Sequence, residues 1–127
     1  MQLPAINTSY HKLTAFQKAK SLVLLVHKLT YKYPKEEQFS LVSQMRRAVI
    51  SIVANLVEGY SKGSTKEYIR FLNIAIGSAT ELKIYLEISL GLNYLKESDF
   101  NQAQDLLIEV FKLLYTYKKS LLNKIKE

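Results

Sequence analysis

An all-α fold, an antiparallel up-down-up-down four-helix bundle, is what this sequence predicts, and three observations predict it. Glycine and proline fall at a few points, Pro4, Pro34, Gly59, Gly63, Gly77 and Gly91, and leave long breaker-free stretches between them. Within those stretches apolar residues recur at three- and four-residue steps rather than alternating, the period of helices and not of strands. The chain has 127 residues and is 48% hydrophobic, the size and content of one globular domain spanning 1–127. Short connections between long helices favour antiparallel neighbours.

A short N-terminal arm, 1–12, precedes helix 1, which runs over about 14–31. Ala15, Ala19, Leu22, Val26 and Leu29 form its apolar stripe, Lys18, Lys28, Lys32 and Lys35 share the opposite arc, and Pro34 enforces its end. Helix 2 is expected over about 36–58. Glu36 and Glu37 suit a helix N-terminus, and Gly59 suits a left-handed C-terminal cap. Tyr60-Ser61-Lys62-Gly63 then turns the chain. Ser64-Thr65-Lys66-Glu67 matches a capping box and opens helix 3, about 65–90, which Gly91-Leu92-Asn93 ends. Helix 4, about 98–125, carries Phe100, Ala103, Leu107, Val110, Leu114, Tyr117 and Leu121 as a seam. Its acids come early and its lysines late, the order the helix dipole favours.

Two helices are more apolar than a single buried stripe requires. Leu24 and Leu25 fall among the lysines of helix 1. In helix 2, Leu41, Val42, Met45, Val49, Ile52, Val53, Leu56 and Val57 spread over more than about 150° of the surface. Packing partners both within and between subunits would account for this excess.

Composition excludes several chemistries. With no cysteine and two histidines, there is no disulfide framework, cysteine nucleophile or thiolate metal site. Neither His11 nor His27 has the glutamate three residues before it that a di-iron bundle needs, so no metal and no cofactor is expected. Gly59 to Lys66 superficially resembles a phosphate loop but lacks the Gly-Lys-Ser/Thr order and a preceding strand; a phosphate at the Ser64-Thr65-Lys66 helix start is the weaker alternative. No paired carboxylates or nucleophile-base arrangement emerges, and the expected protein is not an enzyme. The N-terminus has no basic segment followed by an apolar run, and the longest apolar stretch, Leu22 to Val26, is far short of the roughly 20 residues of a membrane span. A cytoplasmic protein without membrane contact is the expectation, which leaves the Asn7-Thr8-Ser9 sequon without a role.

The charge is uneven. Lys12, Lys18, Lys20, Lys28, Lys32 and Lys35 occur in the first 35 residues without an acid, and account for six of the seven net positive charges. A basic pole points to a polyanion such as RNA or DNA, against the alternative of a solvated helix face. The candidate nucleic-acid-binding residues are Lys18, Lys20, Lys28, Lys32 and Lys35, with Arg46 added because it points away from the polar seam of helix 2. Tyr31-Lys32-Tyr33 and Tyr115-Thr116-Tyr117-Lys118-Lys119 interleave aromatic and basic side chains, a composition that stacks on single-stranded bases or else merely buries rings at helix ends.

That seam is a line of short polar groups. Ser40, Gln44, Arg47, Ser51, Asn55 and Glu58 fall within about an 80° arc, flanked by Ala48 and Ala54. Small flanks permit close approach of another backbone, and directional side chains fix register. Helix 3 offers Arg70, Asn73, Ser78 and Glu81 in answer, and pairing among Arg47, Glu58, Arg70 and Glu81 is expected, within the bundle or between subunits.

Gln44-Met45-Arg46-Arg47-Ala48, Ser51-Ile52, Ala54-Asn55-Leu56 and Glu58-Gly59 resemble the signature of the four-helix bundle proteins encoded in 23S rRNA intervening sequences. Tyr33-Pro34, Glu37 and Phe39 before them extend the likeness, as do Ser64, Lys66-Glu67-Tyr68, Arg70-Phe71-Leu72, Ile74-Ala75, Gly77-Ser78-Ala79 and Glu81-Leu82 after them. Together they cover roughly residues 13 to 95, while helix 4 matches only in amphipathic pattern. The resemblance implies a bacterial cytoplasmic homopentamer without enzymatic activity. It also implies kinship with the accessory variability determinant of diversity-generating retroelements, which partners a reverse transcriptase and nucleic acid. Two functions follow as expectations: nucleic-acid binding through the lysine-rich surface, or a scaffold that recruits a protein such as a reverse transcriptase.

Overall fold

A computed structural model describes residues 6–126. It contains α1 (Thr14–Thr30), α2 (Leu41–Tyr60), α3 (Thr65–Gly91) and α4 (Glu97–Lys126), with 3₁₀ turns at Ser9–Lys12 and Lys35–Glu37, and no strand among the described residues. The first five residues of the expected arm lie outside the described residues.

The helices end where local chemistry dictates, with two corrections. Helix 2 begins at Leu41 rather than near Glu36. The segment after Pro34 forms its own 3₁₀ turn, and the Ser40 hydroxyl donates to the Glu37 carboxylate at 2.9 Å instead of leaving Glu37 inside the helix. Gly59 is not a left-handed cap either. The helix runs through it to Tyr60, and the left-handed residue of this connection is Gly63, at φ +74°. At the start of α3 the Ser64 hydroxyl accepts the Glu67 N–H at 3.4 Å, while the Glu67 carboxylate turns to Arg70 at 3.1 Å. The end of α3 is closed by Asn93 at φ +63°, with Tyr94 N–H donating to Ser89 O at 2.9 Å and Asn93 N–H to Leu90 O at 3.0 Å. That pattern satisfies two orphan carbonyls, and asparagine is among the few residues that tolerate the left-handed region without a glycine's freedom.

The predicted stripes meet in the core. Ala15, Ala19, Leu22, Val26 and Leu29 of α1 are buried against Met45, Val49, Ile52 and Leu56 of α2, Leu72, Leu82 and Leu86 of α3, and Leu107, Val110 and Leu114 of α4. α1 and α3 each pack on both α2 and α4, the arrangement of a square bundle, with the α2–α3 pair the most extensive. Contacts run in opposite order along neighbours: Arg47 meets Glu81, Ser51 meets Ser78, and Gly59 meets Phe71. Likewise Ala15 meets Tyr117 and Lys18 meets Glu109, as antiparallel helices require.

Gly59 sets how closely α2 and α3 approach. A Cβ there would stand 2.8 Å from Cβ of Phe71 and 3.1 Å from the Tyr68 ring, closer than carbon atoms pack. Nearby, Tyr60 and Tyr68 meet edge to face at 6.1 Å, and the Tyr60 hydroxyl lies 3.1 Å from that of Ser9. Burial pushes the Tyr68 phenol up to about 12, with the neighbouring Tyr117 and Tyr60 phenols adding to the effect.

Gly59→Ala is expected to cost about 1–3 kcal/mol by overpacking, read as a lower urea midpoint at concentrations where the chain is a single copy, whereas Gly77→Ala, over open space within one copy, does not lower that midpoint. Tyr68 gives an alkaline prediction. Its raised value keeps the phenol neutral in the fold, so its contribution is complete below pH 10, the unfolded value, and is lost as pH rises towards 12. Unfolding midpoints measured across that window should fall less steeply for Tyr68→Phe than for the parent chain.

Candidate nucleic-acid interface

The structure does not gather the helix 1 lysines on one face. On a helix, Lys18 and Lys20 stand about 200° apart, and they accordingly flank α1 on opposite sides. Lys18 leans to α4 and pairs with Glu109 at 2.9 Å. Lys20 borders a cleft of about 330 Å³ between α1 and α2, lined by Phe16, Val23, Ile50, Val53 and Ala54. The remaining cations collect at the other end of α1. Lys28 is exposed on its last turn, Lys32 is exposed on the connection that follows, and Lys35 opens the 3₁₀ turn.

Lys35 and Arg46 meet around a second cleft, of about 440 Å³, formed where α1 passes to α2 and walled by Thr30, Tyr31, Gln38 and Val42. Arg46 is half-buried and held in place. Its Nε donates to Thr30 Oγ1 at 3.1 Å and its Nη2 to the His27 carbonyl at 3.5 Å. Those groups close the C-terminus of α1, where orphan carbonyls favour a cation. Thr30 itself is buried and donates to Val26 O at 2.7 Å. Tyr31 presents an almost free ring, 85% exposed, at the rim. Tyr33, by contrast, is buried beside Tyr94, with ring centres 5.2 Å apart. Burial pushes its phenol up, the Ser89 hydroxyl opposing. Thr30 and Gln38 escaped sequence reasoning because neither carries charge or periodic signal; their place follows only from the chain reversal at Pro34.

The polar seam lies along the α2–α3 contact. Arg47 donates to Gln44 Oε1 at 2.9 Å and to Glu81 Oε2 at 3.1 Å, all on the surface. Below them the Ser51 and Ser78 hydroxyls meet at 2.8 Å, and Asn55 Nδ2 donates to the Ser51 carbonyl at 2.8 Å and hydroxyl at 3.0 Å. Of the four expected partners Arg47 and Glu81 pair, while Glu58 and Arg70 do not join this cross-helix network within the chain. Glu58 takes Lys62 at 3.0 Å and Arg70 takes Glu67, because each has a closer opposite charge one turn away on or beside its own helix. Asn73 is exposed. Among the described residues, no three His, Cys, Asp or Glu side chains come together as a metal site, and no helix is long and apolar enough to cross a membrane.

The sequence model of the 23S rRNA-intervening sequence proteins matches residues 11–116. The chain belongs to the 23S rRNA-intervening sequence protein family. A solved protein of unknown function from the S23 ribosomal protein family of Bacteroides thetaiotaomicron VPI-5482 is 24% identical and superposes with a TM-score of 0.75, over 83% of this chain and 95% of that one. That likeness carries the fold. No curated protein matches the chain.

In this 23S rRNA-intervening sequence protein the recognisable motifs divide by burial. Ala48, Ile52, Leu56, Gly59, Leu72, Ala75, Ala79 and Leu82 are core residues, and Gln44, Arg47, Ser51, Asn55 and Glu81 form the seam over them. The family match also runs past residue 95, where the motifs stop, into α4.

The seam makes separable predictions. Arg47 and Glu81 are both about half exposed, so Arg47→Ala should change unfolding free energy by less than about 1 kcal/mol. Asn55→Leu, which removes two half-buried hydrogen bonds, should cost about 0.5–1.5 kcal/mol. Urea titration of the two variants checks the order.

Proposed function

We propose that this family member is a non-enzymatic protein that binds RNA or single-stranded DNA at the α1–α2 end of the bundle. Lys28, Lys32, Lys35 and Arg46 contact phosphates there, and Tyr31 stacks on a base. The observation that carries the reading is the cleft that Lys35 and the tethered Arg46 both line beside an exposed tyrosine ring. Cations on a backbone-tracking surface with an aromatic platform are the common means of binding single strands. Lys18 is given a smaller part because Glu109 already neutralises it, and Lys20 lies on a different flank.

The reading includes self-association, with five copies by the family resemblance, across the α2–α3 strip of Gln44, Arg47, Asn55 and Glu81. Gly77 favours it. It is exposed in the middle of α3 over open space, and an interior helix glycine costs about 1 kcal/mol against alanine unless a neighbouring backbone uses the room. A second reading, a scaffold that recruits a protein such as a reverse transcriptase, is favoured by Phe39, 92% exposed just before α2, and by Leu24, 63% exposed.

A salt titration separates the two. Binding to single-stranded RNA should weaken with a log–log slope of about 0.7 for each neutralised phosphate. Replacing Lys28, Lys32 and Lys35 together by Gln should lower the slope by about two, whereas Lys18→Gln should leave it nearly unchanged. Binding that ignores both salt and the triple substitution would instead favour the scaffold.

A further inference from the structure

α4 carries a second seam that the rest of the chain covers only in part. Its inner seam fills the core, but Gln104, Ile108, Phe111, Tyr115, Lys118, Leu122 and Ile125 repeat the alternating four- and three-residue spacing on the outside. Ile108, Tyr115, Leu122 and Ile125 are 40–47% exposed, and the Lys118 ammonium lies 5.8 Å over the Tyr115 ring. The seam borders a cleft of about 290 Å³ against α3, walled by Ala79, Leu107, Ile108 and Phe111. α1 and α3 both pack on α4, yet the outer seam stays about half exposed beyond them.

The charges on α4 say which partner fits. The first half, 97–111, holds Glu97, Asp99, Asp105 and Glu109, the last paired with Lys18 of α1, and no base. The second half, 112–126, holds Lys112, Lys118, Lys119, Lys124 and Lys126 and no acid. Two copies laid side by side in parallel would set lysines against lysines. Laid antiparallel with full overlap, each acidic half faces a basic half, which is the pattern that sets orientation in helix pairs.

We propose that α4 is a self-association face on which a second copy of this chain docks its own α4 antiparallel. Phe111 and Tyr115 of the two copies meet near the two-fold axis, and the side chain of Tyr115 from one copy enters the α3–α4 cleft of the other. The contact is isologous, so it closes at two copies. It lies diagonally across the bundle from α2 and is compatible with association through the α2–α3 strip, the combination giving a ten-copy assembly.

The test is mass by light scattering, with cross-linking by a short bis-maleimide; the chain has no cysteine of its own. The expected mass is two copies, or ten where the α2–α3 association also forms. The Leu122→Lys, Ile125→Lys double variant, altered only at exposed positions, should halve that mass with its helical circular dichroism unchanged. Tyr115→Cys protein should cross-link to itself. Ile125→Cys protein should not, because antiparallel overlap holds the two sites roughly 36 Å apart, yet it should cross-link when mixed with Asn101→Cys protein. One copy or five copies in the parent chain, or self-linking of Ile125→Cys protein, would overturn the proposal. Five copies would do so while leaving the α2–α3 association standing.

Discussion

The close approach of α2 and α3 is the constraint on which the rest of this bundle depends. Gly59 allows it, since any larger residue would meet Phe71 Cβ at 2.8 Å. The Ser51–Ser78 and Arg47–Glu81 contacts fix its register. Individually these polar contacts are worth little, because surface ion pairs contribute at most about 1 kcal/mol. Their effect is geometric: they choose one alignment among the several that a stripe of Val, Ile and Leu would tolerate. Aligned so, α2 turns Arg47 to α3 and the next residue, Arg46, about 100° away, to the end of α1.

That division makes the basic end of the molecule. Arg46 closes the carbonyl end of α1 through Thr30 and His27, so one cation is ordered before any ligand arrives. Preorganised charge costs little entropy on binding, unlike the mobile lysines around it. Pro34 and the 3₁₀ turn bring Lys35 to the same cleft. The aromatic and cationic groups sit on a connection braced by two helices and by the buried Tyr33 against the half-buried Tyr94.

Much of this was legible in the residues. The four helices followed from the positions of glycine and proline and from the three-and-four spacing, and Leu22, Val26, Met45, Ile52, Leu107 and Leu114 are buried as that spacing demands. The late start of helix 2 was not legible, because Glu36 and Glu37 suit a helix N-terminus as well as they suit a 3₁₀ turn. Gly59 reads in sequence as a terminator, and only the facing helix reveals it as a point of contact. The lysines of helix 1 look like one patch in a linear count and separate once the helical angle between Lys18 and Lys20 is drawn. The pairing of Glu58 with Lys62 shows that a local partner wins over a distant one when both lie at the surface. The outer seam of α4 was periodic from the start, hidden by an inner seam of the same period and greater hydrophobicity.

The central claim is that the α1–α2 end is the nucleic-acid surface, and amide chemical-shift mapping during titration with a short single-stranded RNA tests it most directly. The account predicts the largest shifts between Lys28 and Arg46, with Tyr31 prominent and α4 quiet. Shifts concentrated on Lys118, Lys119, Lys124 and Lys126, or none at all at low salt, would contradict it.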